Sequence, residues 1–153
     1  MKENSKTKEL LYSKCLEFIE TRFQTVQNTI KDIQNSLQSE TKSSAGDKHE
    51  TGRAMLQLER EKAGNQLAEI QKIREAFSKI DISKTSENIT LGSLVYTTKA
   101  NYFITISAGE LRVEDILFYA ISPSTPIAKL LLSKTVGDDV KFRDTSFKII
   151  KIL

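Results

Sequence analysis

The sequence predicts an α+β protein in which an antiparallel coiled-coil hairpin precedes a small antiparallel sheet with one short helix. Three observations support this fold class. Apolar residues recur at helical spacing through the first 80 residues, the period stops at residues 81–88, and β-branched and aromatic runs begin at Leu91. We therefore divide the chain into a coiled-coil hairpin at 1–80, a linker at 81–88 and a C-terminal domain at 89–153.

The first helix is predicted from a heptad pattern. Apolar residues alternate between spacings of four and three, as in a coiled-coil seam, and no Gly or Pro occurs between Met1 and Ala45. A helix of about 30 residues or more is expected, about 45 Å long at a rise of 1.5 Å per residue. The predicted seam residues are Tyr12, Leu16, Ile19, Phe23, Val26, Ile30, Ile33 and Leu37.

A second helix is predicted after a polar turn at residues 43–52. Its apolar positions also recur every seven residues, at Leu56, Ala63, Ile70 and Phe77. A short polar connection between two helices of similar length is typical of antiparallel pairing. The turn would then lie at the end of the hairpin.

The C-terminal domain is predicted from short runs with high β-propensity. Turns are expected at residues 108–110 and 136–139. Thr125 is a plausible N-cap, with Pro126 at the first helical position, and this predicts a short helix that buries Ile127, Leu130 and Leu131. The predicted strands are 94–96, 102–106, 116–121, 140–142 and 147–152.

Composition and charge narrow the functional class. The formal charge is +3, and both signs are interspersed along the chain, so no basic stripe of the kind used by autonomous nucleic-acid binders is present. The single cysteine, Cys15, has no partner within the chain, and we expect it to be a buried or half-buried thiol. No apolar run has the length of a membrane span, and the first residues lack the apolar segment of a signal peptide. These features predict a soluble cytoplasmic protein.

The turn between the helices carries two carboxylates, Asp47 and Glu50. Their spacing is that of a capping box, in which both acids satisfy amides at the start of a helix. Two acids three residues apart also lie on one helix face, where they can bind a divalent metal such as Mg²⁺ together with ligands from another molecule. Both interpretations stay open on spacing alone.

Two segments resemble the GreA/GreB family of bacterial transcript-cleavage factors. The turn Gly46-Asp47-Lys48-His49-Glu50 is similar to the Gly-Asp-x-x-Glu of that family. The segment 121–134, with Ser122-Pro123 and Pro126-Ile127-Ala128-Lys129, followed by Gly137-Asp138, resembles its Ser-Pro-Ile-Ala-(Arg/Lys) helix and Gly-Asp turn. The resemblance covers nearly the whole chain, and it implies an FKBP-like C-terminal domain.

The resemblance also implies a function. The C-terminal domain would dock at the secondary channel of RNA polymerase, and the coiled coil would enter the channel as a monomer. Asp47 and Glu50 would help to hold a Mg²⁺ ion that the polymerase mainly binds, so that backtracked RNA is cut. The protein would be an accessory factor and not an enzyme alone, with only indirect contact to nascent RNA. The predicted partner-binding residues are Lys48, His49, Arg53, Pro126 and Ile127.

Two alternatives to a cleavage factor remain at this point. Lys48, His49 and Arg53 depart from the family pattern and place positive charge beside the acids, which would suit a channel-binding regulator without cleavage activity. Regular heptads also occur in coiled-coil adaptors and chaperone-like proteins. An adaptor should tolerate Asp47→Ala and Glu50→Ala, whereas a cleavage factor should not.

Overall fold

Two long helices occupy the first half of the chain. The computed structural model describes residues 2–42 and 46–153, with side chains for residues 5–39 and 51–153. Helix α1 spans Lys2–Lys42 and helix α2 spans Gly46–Ser78. The prediction of two long helices before an α+β domain is therefore confirmed. Residues 46–52 are helical, so this part of the predicted turn belongs to α2.

The chain separates by its internal contacts into two compact units. One unit contains residues 1–18 together with 76–153, and the other contains residues 19–75. These bounds differ from the division at 1–80, 81–88 and 89–153, which stays a prediction. Residues 82–88 lie in neither a helix nor a strand.

In the unit of residues 19–75, α1 and α2 pack as an antiparallel pair. Ile30 and Ile33 of α1 and Ala63 of α2 form its buried cluster. Arg74 Nε lies 2.9 Å from Glu20 Oε1, so the earlier part of α1 meets the later part of α2. The side chains that pack against the buried cluster are Val26, Leu37, Leu56 and Leu67. The heptad pattern therefore predicted both the helices and their pairing.

A six-stranded sheet dominates the other unit. Across the sheet, the strands lie in the order β3, β4, β2, β1, β6 and β5. All pairs are antiparallel except β2 and β4, which run parallel, so the predicted antiparallel sheet is confirmed apart from this one pair. The strands are β1 Leu94–Thr97, β2 Asn101–Ile104, β3 Gly109–Val113, β4 Ile116–Ile121, β5 Asp139–Phe142 and β6 Thr145–Ile152.

Strand β3 is the element that the sequence interpretation missed. Residues 109 and 110 were predicted as a turn, but they begin β3, which pairs with β4 from Gly109 to Val113. The turn lies instead at Glu114 and Asp115, whose φ angles are 50° and 65°. Both residues adopt the left-handed conformation without being Gly or Asn, the residues that usually signal such a hairpin turn.

Helix α3, Pro126–Leu131, packs on one face of the sheet. Its Ala128 and Leu131 are fully buried in a core cluster with residues of β1, β2, β5 and β6. Ile127 is half-buried, but Leu130 is exposed, so the prediction that Leu130 is buried is wrong. A helix of fewer than two turns buries one narrow stripe, and residues 128 and 131 already occupy it.

Residues 2–18 of α1 belong to the unit that contains the sheet. Cys15 Sγ lies 3.8 Å from Thr105 Oγ1, and the ring of Tyr12 stacks on Phe77 at 4.4 Å between centroids. This part of α1 thus contacts both Thr105 and Phe77. These two contacts explain why Leu11 and Cys15 are buried while the predicted seam residue Leu16 is 42% exposed. The prediction of a buried Cys15 is confirmed, and that of a buried Leu16 is wrong.

Candidate functional sites at the start of α2 and at α3

The two candidate metal-binding acids lie in the first turn of α2. Asp47 follows the first helical residue, Gly46, and Glu50 lies three residues later on the same helix face. The side chains of Asp47, Lys48, His49 and Glu50 lie outside the described residues. The structure therefore places these four residues on a helix. Their roles as metal ligands or helix caps stay predictions.

The helix start itself favours negative charge. The first amides of an α-helix have no acceptor within the helix, and the aligned peptide dipoles give this end a partial positive charge. Carboxylates at Asp47 and Glu50 are stabilised there whether they cap the helix or bind a cation. The local electrostatics are thus consistent with both interpretations.

Arg53 is the one predicted site residue of this turn whose side chain is described. It lies three residues after Glu50, which is one helical turn, and it is half-buried. Its interactions include at least one polar or ring contact. Arg53 thus adds a basic residue one helical turn after Glu50 and six residues after Asp47.

The second candidate site is the loop that leads into α3. Thr125 Oγ1 donates to the carbonyl of Ser122 at 2.8 Å and accepts from the amide of Ala128 at 3.3 Å. The predicted N-cap is therefore present, and the cap fixes Pro126 at the first position of α3. Pro126 is exposed and Ile127 is half-buried, so this edge of α3 is accessible to a partner.

A second pair of hydroxyls holds the same loop. The Oγ atoms of Ser122 and Ser124 lie 2.6 Å apart, and the Ser122 hydroxyl also accepts from the amide of Ser124 at 3.2 Å. These bonds restrict the backbone before Pro126, and a rigid loop loses less conformational entropy when it binds a partner. The loop has the properties of a docking element, and its role as one is a prediction.

The described side chains contain no preassembled metal site. Among residues 5–39 and 51–153, no group of three or more His, Cys, Asp or Glu side chains is close enough to hold a metal ion. Two carboxylates supply hard oxygen ligands of the kind that Mg²⁺ prefers, but they leave most of its coordination to other molecules. A role for Asp47 and Glu50 in binding Mg²⁺ therefore requires a partner that supplies the remaining ligands.

Sequence reasoning missed a cavity near the start of α1. Lys8 is buried there, although long charged side chains are rarely buried without a partner. A signal was present, because Lys8 precedes the buried Leu11 by three residues and Cys15 by seven. Lys8 therefore falls on the apolar stripe of the helix.

None of the helices, over the residues that the structure describes, combines the length and the apolar character that a membrane crossing requires.

Comparison with known proteins gives similarity to solved structures. No family model and no curated protein matches this chain. Among solved structures, the chain is similar to that of the transcription factor Gfh1, with 19% sequence identity over 89% of this chain and 91% of that chain. The TM-score is 0.36, too low to support an argument about fold or function. The fold described above rests on the helices and strands of this chain.

Proposed function

We propose that this protein is a Gre-like transcription elongation factor that binds RNA polymerase at its secondary channel and stimulates Mg²⁺-dependent cleavage of backtracked RNA. The observation that carries the proposal is the position of Asp47 and Glu50 in the first turn of α2. Helix α2 forms an antiparallel pair with α1. The resemblance of residues 46–50 and 121–134 to the GreA/GreB family supplies the identity of the partner.

The antiparallel helix pair supports a role in reaching into a partner. α1 has 41 residues and α2 has 33, and their described contact in the unit of residues 19–75 is a narrow apolar seam. Two paired helices bury little surface for their length. A structure of this kind suits delivery of a few side chains into a channel better than it suits the enclosure of a substrate.

In this proposal, Asp47 and Glu50 contribute oxygen ligands to a Mg²⁺ ion that the polymerase mainly holds. The bound metal would supply activation of a water molecule and stabilisation of charge on the scissile phosphate. Their positions on one helix face, near the positive end of α2, would favour both negative charge and a shared cation. Lys48, His49 and Arg53 would contact the channel or the RNA phosphates beside them.

A second function is favoured by the basic residues at the same turn. Lys48 and His49 stand between the two acids in the sequence, and Arg53 follows Glu50 by about one helical turn. Positive charges oppose binding of a divalent cation. A channel-binding regulator that competes with other factors, without cutting RNA, would use the same helix pair and the same docking loop at Pro126 and Ile127.

The test is an assay on backtracked elongation complexes in the presence of Mg²⁺. We expect shortened RNA with the unmodified protein and loss of shortening with Asp47→Ala/Glu50→Ala, while binding to the polymerase is retained. Glu59→Ala is the matched control, because it removes an exposed carboxylate from α2 outside the first turn. Binding without RNA shortening would leave the channel-binding regulator, and absence of binding would refute both functions and favour an adaptor.

A further inference from the structure

The N-terminal part of α1 contains a buried ammonium group. Lys8 is 4% exposed, and its Nζ donates to the backbone carbonyl of Lys84 at 3.3 Å. Among the described residues it forms no ion pair. Burial lowers the pKa of Lys8, and the charge of Asp81 offsets this only in part. A buried charge that lacks a close counter-ion is costly to a fold, so its presence needs an explanation.

The carboxylate of Asp81, whose charge acts on Lys8, is hydrogen-bonded to Ser83. Asp81 Oδ1 accepts from the amide of Ser83 at 3.0 Å and from its hydroxyl at 2.5 Å. These hydrogen bonds, together with weaker attraction from Lys84 and Lys8, lower the pKa of Asp81. A lysine ammonium has three hydrogen-bond donors. In the described structure, the ammonium of Lys8 has one protein acceptor. Its charge and its remaining donors are therefore available to a ligand.

The Lys8 side chain lines a cavity of about 420 Å³. The hydroxyl-bearing residues Ser5, Ser83 and Thr85 line the same cavity, and Ile82 and Leu153 add apolar surface. All of these residues belong to one compact unit. The volume is within the range of small-molecule sites, which typically combine apolar walls with a few polar groups and a residue of perturbed pKa.

Charge at the cavity limits the ligand. Glu9 also lines it and is exposed, so a polyanion such as a nucleic-acid backbone would be repelled. A single anionic group can reach Lys8 while the neutral remainder of the molecule contacts the apolar walls. Lysine interacts with carboxylate and phosphate groups as a point charge, without the bidentate selectivity of arginine.

We propose that the Lys8 cavity binds a small molecule that carries one carboxylate or phosphate group, with the Lys8 ammonium as its counter-ion. The hydroxyls of Ser5 and Thr85 supply further donors to the anionic group. This proposal concerns the unit that contains the sheet and does not depend on the function proposed for Asp47 and Glu50.

The test is an NMR titration of the ¹⁵N-labelled full chain with inorganic phosphate and, separately, with acetate, each at constant ionic strength against sodium chloride. We expect saturable shifts centred on the amides of Ser5, Lys8, Ser83 and Thr85, with a Kd of about 1–10 mM, which is typical of a single small charged group. A response to acetate alone identifies a carboxylate ligand, and a response to phosphate alone identifies a phosphate ligand. Shifts spread over exposed lysines, or no saturable shifts, would refute the proposal.

A pair of matched variants tests the role of the ammonium. Lys8→Met keeps the length of the side chain without its charge, and Lys14→Met removes an exposed lysine from the same helix. We expect Lys8→Met to weaken binding by about 10-fold or more, as for loss of a charge-assisted hydrogen bond, and Lys14→Met to leave it unchanged. Equal binding by Lys8→Met would contradict the assignment.

A measurement on the unmodified protein covers the case in which Lys8→Met fails to fold. Because an anion favours the charged form of lysine, the pKa of Lys8, followed through its ¹³Cε signal, should rise when phosphate or acetate is added. An unchanged titration of Lys8 at saturating anion would refute the proposal independently of any variant.

Discussion

Alkaline pH should destabilise this protein through its single cysteine. Cys15 is fully buried, and burial raises the pKa of its thiol to about 11, a change that the contact with Thr105 only partly opposes. In the unfolded chain the same thiol would titrate near its ordinary value of 9.0. Between these values the unfolded state releases a proton that the folded state keeps, so rising pH favours unfolding.

The size of the effect follows from the two pKa values. Each pKa unit corresponds to about 1.4 kcal/mol, so Cys15 should lower the free energy of unfolding by about 2–3 kcal/mol as the pH rises from about 8 to about 11. The stabilisation is fully present below the unfolded pKa of 9.0 and is lost as the pH approaches the folded value of about 11. This loss is a large fraction of the stability of a typical domain.

The assay compares the unmodified protein with Cys15→Ala. Urea unfolding followed by circular dichroism, in the presence of a reductant, gives the free energy of unfolding of each protein at several pH values. Burial also raises the pKa values of Tyr96 and Tyr102 and lowers that of Lys8, but these groups are common to both proteins. The difference between the proteins should therefore change by about 2–3 kcal/mol. Parallel curves would refute the burial of the thiol.

Three further predictions concern stability, each measured by urea unfolding at neutral pH. Leu131→Ala should cost about 2–4 kcal/mol because it leaves a cavity under α3, whereas Leu130→Ala should cost less than about 1 kcal/mol; similar losses would contradict the orientation of α3. Thr125→Ala should cost about 1 kcal/mol through loss of the N-cap, and Thr125→Ser should restore most of it if the hydroxyl is responsible. Replacing Glu114-Asp115 with Asn-Gly should stabilise the hairpin by about 0.5–1 kcal/mol, because both residues have positive φ; a loss of stability would contradict the turn geometry.

The parts of the fold that the sequence predicted are those in which one pattern decides the structure. The seam between Ile19 and Leu37 follows the heptad period because α2 is the partner of α1 in that unit. Near the start of α1, contacts with both Phe77 and Thr105 broaden the buried face. A single-partner heptad cannot describe a helix with two neighbours, and this explains the misplacement of Leu16.

The missed strand has a different physical cause. β3 begins with Gly109 and alternates Glu110 and Arg112 with apolar residues at the edge of the sheet. An edge strand buries little and tolerates charge, so its local propensity is weak. Its pairing with β4 is a tertiary contact that propensity does not encode.

The two candidate sites also differ in how much of each could be predicted from the sequence. Asp47 and Glu50 were predicted from their position between two heptad patterns and from a family resemblance, because no local geometry distinguishes a metal ligand from a helix cap at that spacing. The Lys8 cavity depends on residues 75 or more positions after Lys8 in the chain, such as Ser83, Thr85 and Leu153. The spacing along one helix could indicate that Lys8 lies on a buried stripe, but it could not indicate which distant residues line the cavity around Lys8.

The basic residues beside the acids bear on the choice between cleavage and simple binding to the polymerase. Lys48 and Arg53 are the strongly basic side chains of this segment, and His49 stands between Lys48 and Glu50 in the sequence. At separations of about 6–8 Å in water, each full charge repels a divalent cation by about 1 kcal/mol, and physiological salt reduces this further. In bulk water two such charges would weaken metal binding by about 30-fold or more, and the lower effective dielectric constant near a protein surface would increase this factor. A higher Mg²⁺ concentration should therefore offset part of the deficit. Cutting of RNA that appears only at raised Mg²⁺ would therefore identify the charge of Lys48 and Arg53 as the limit on cleavage, whereas binding to polymerase without cutting at every Mg²⁺ concentration would favour the channel-binding regulator.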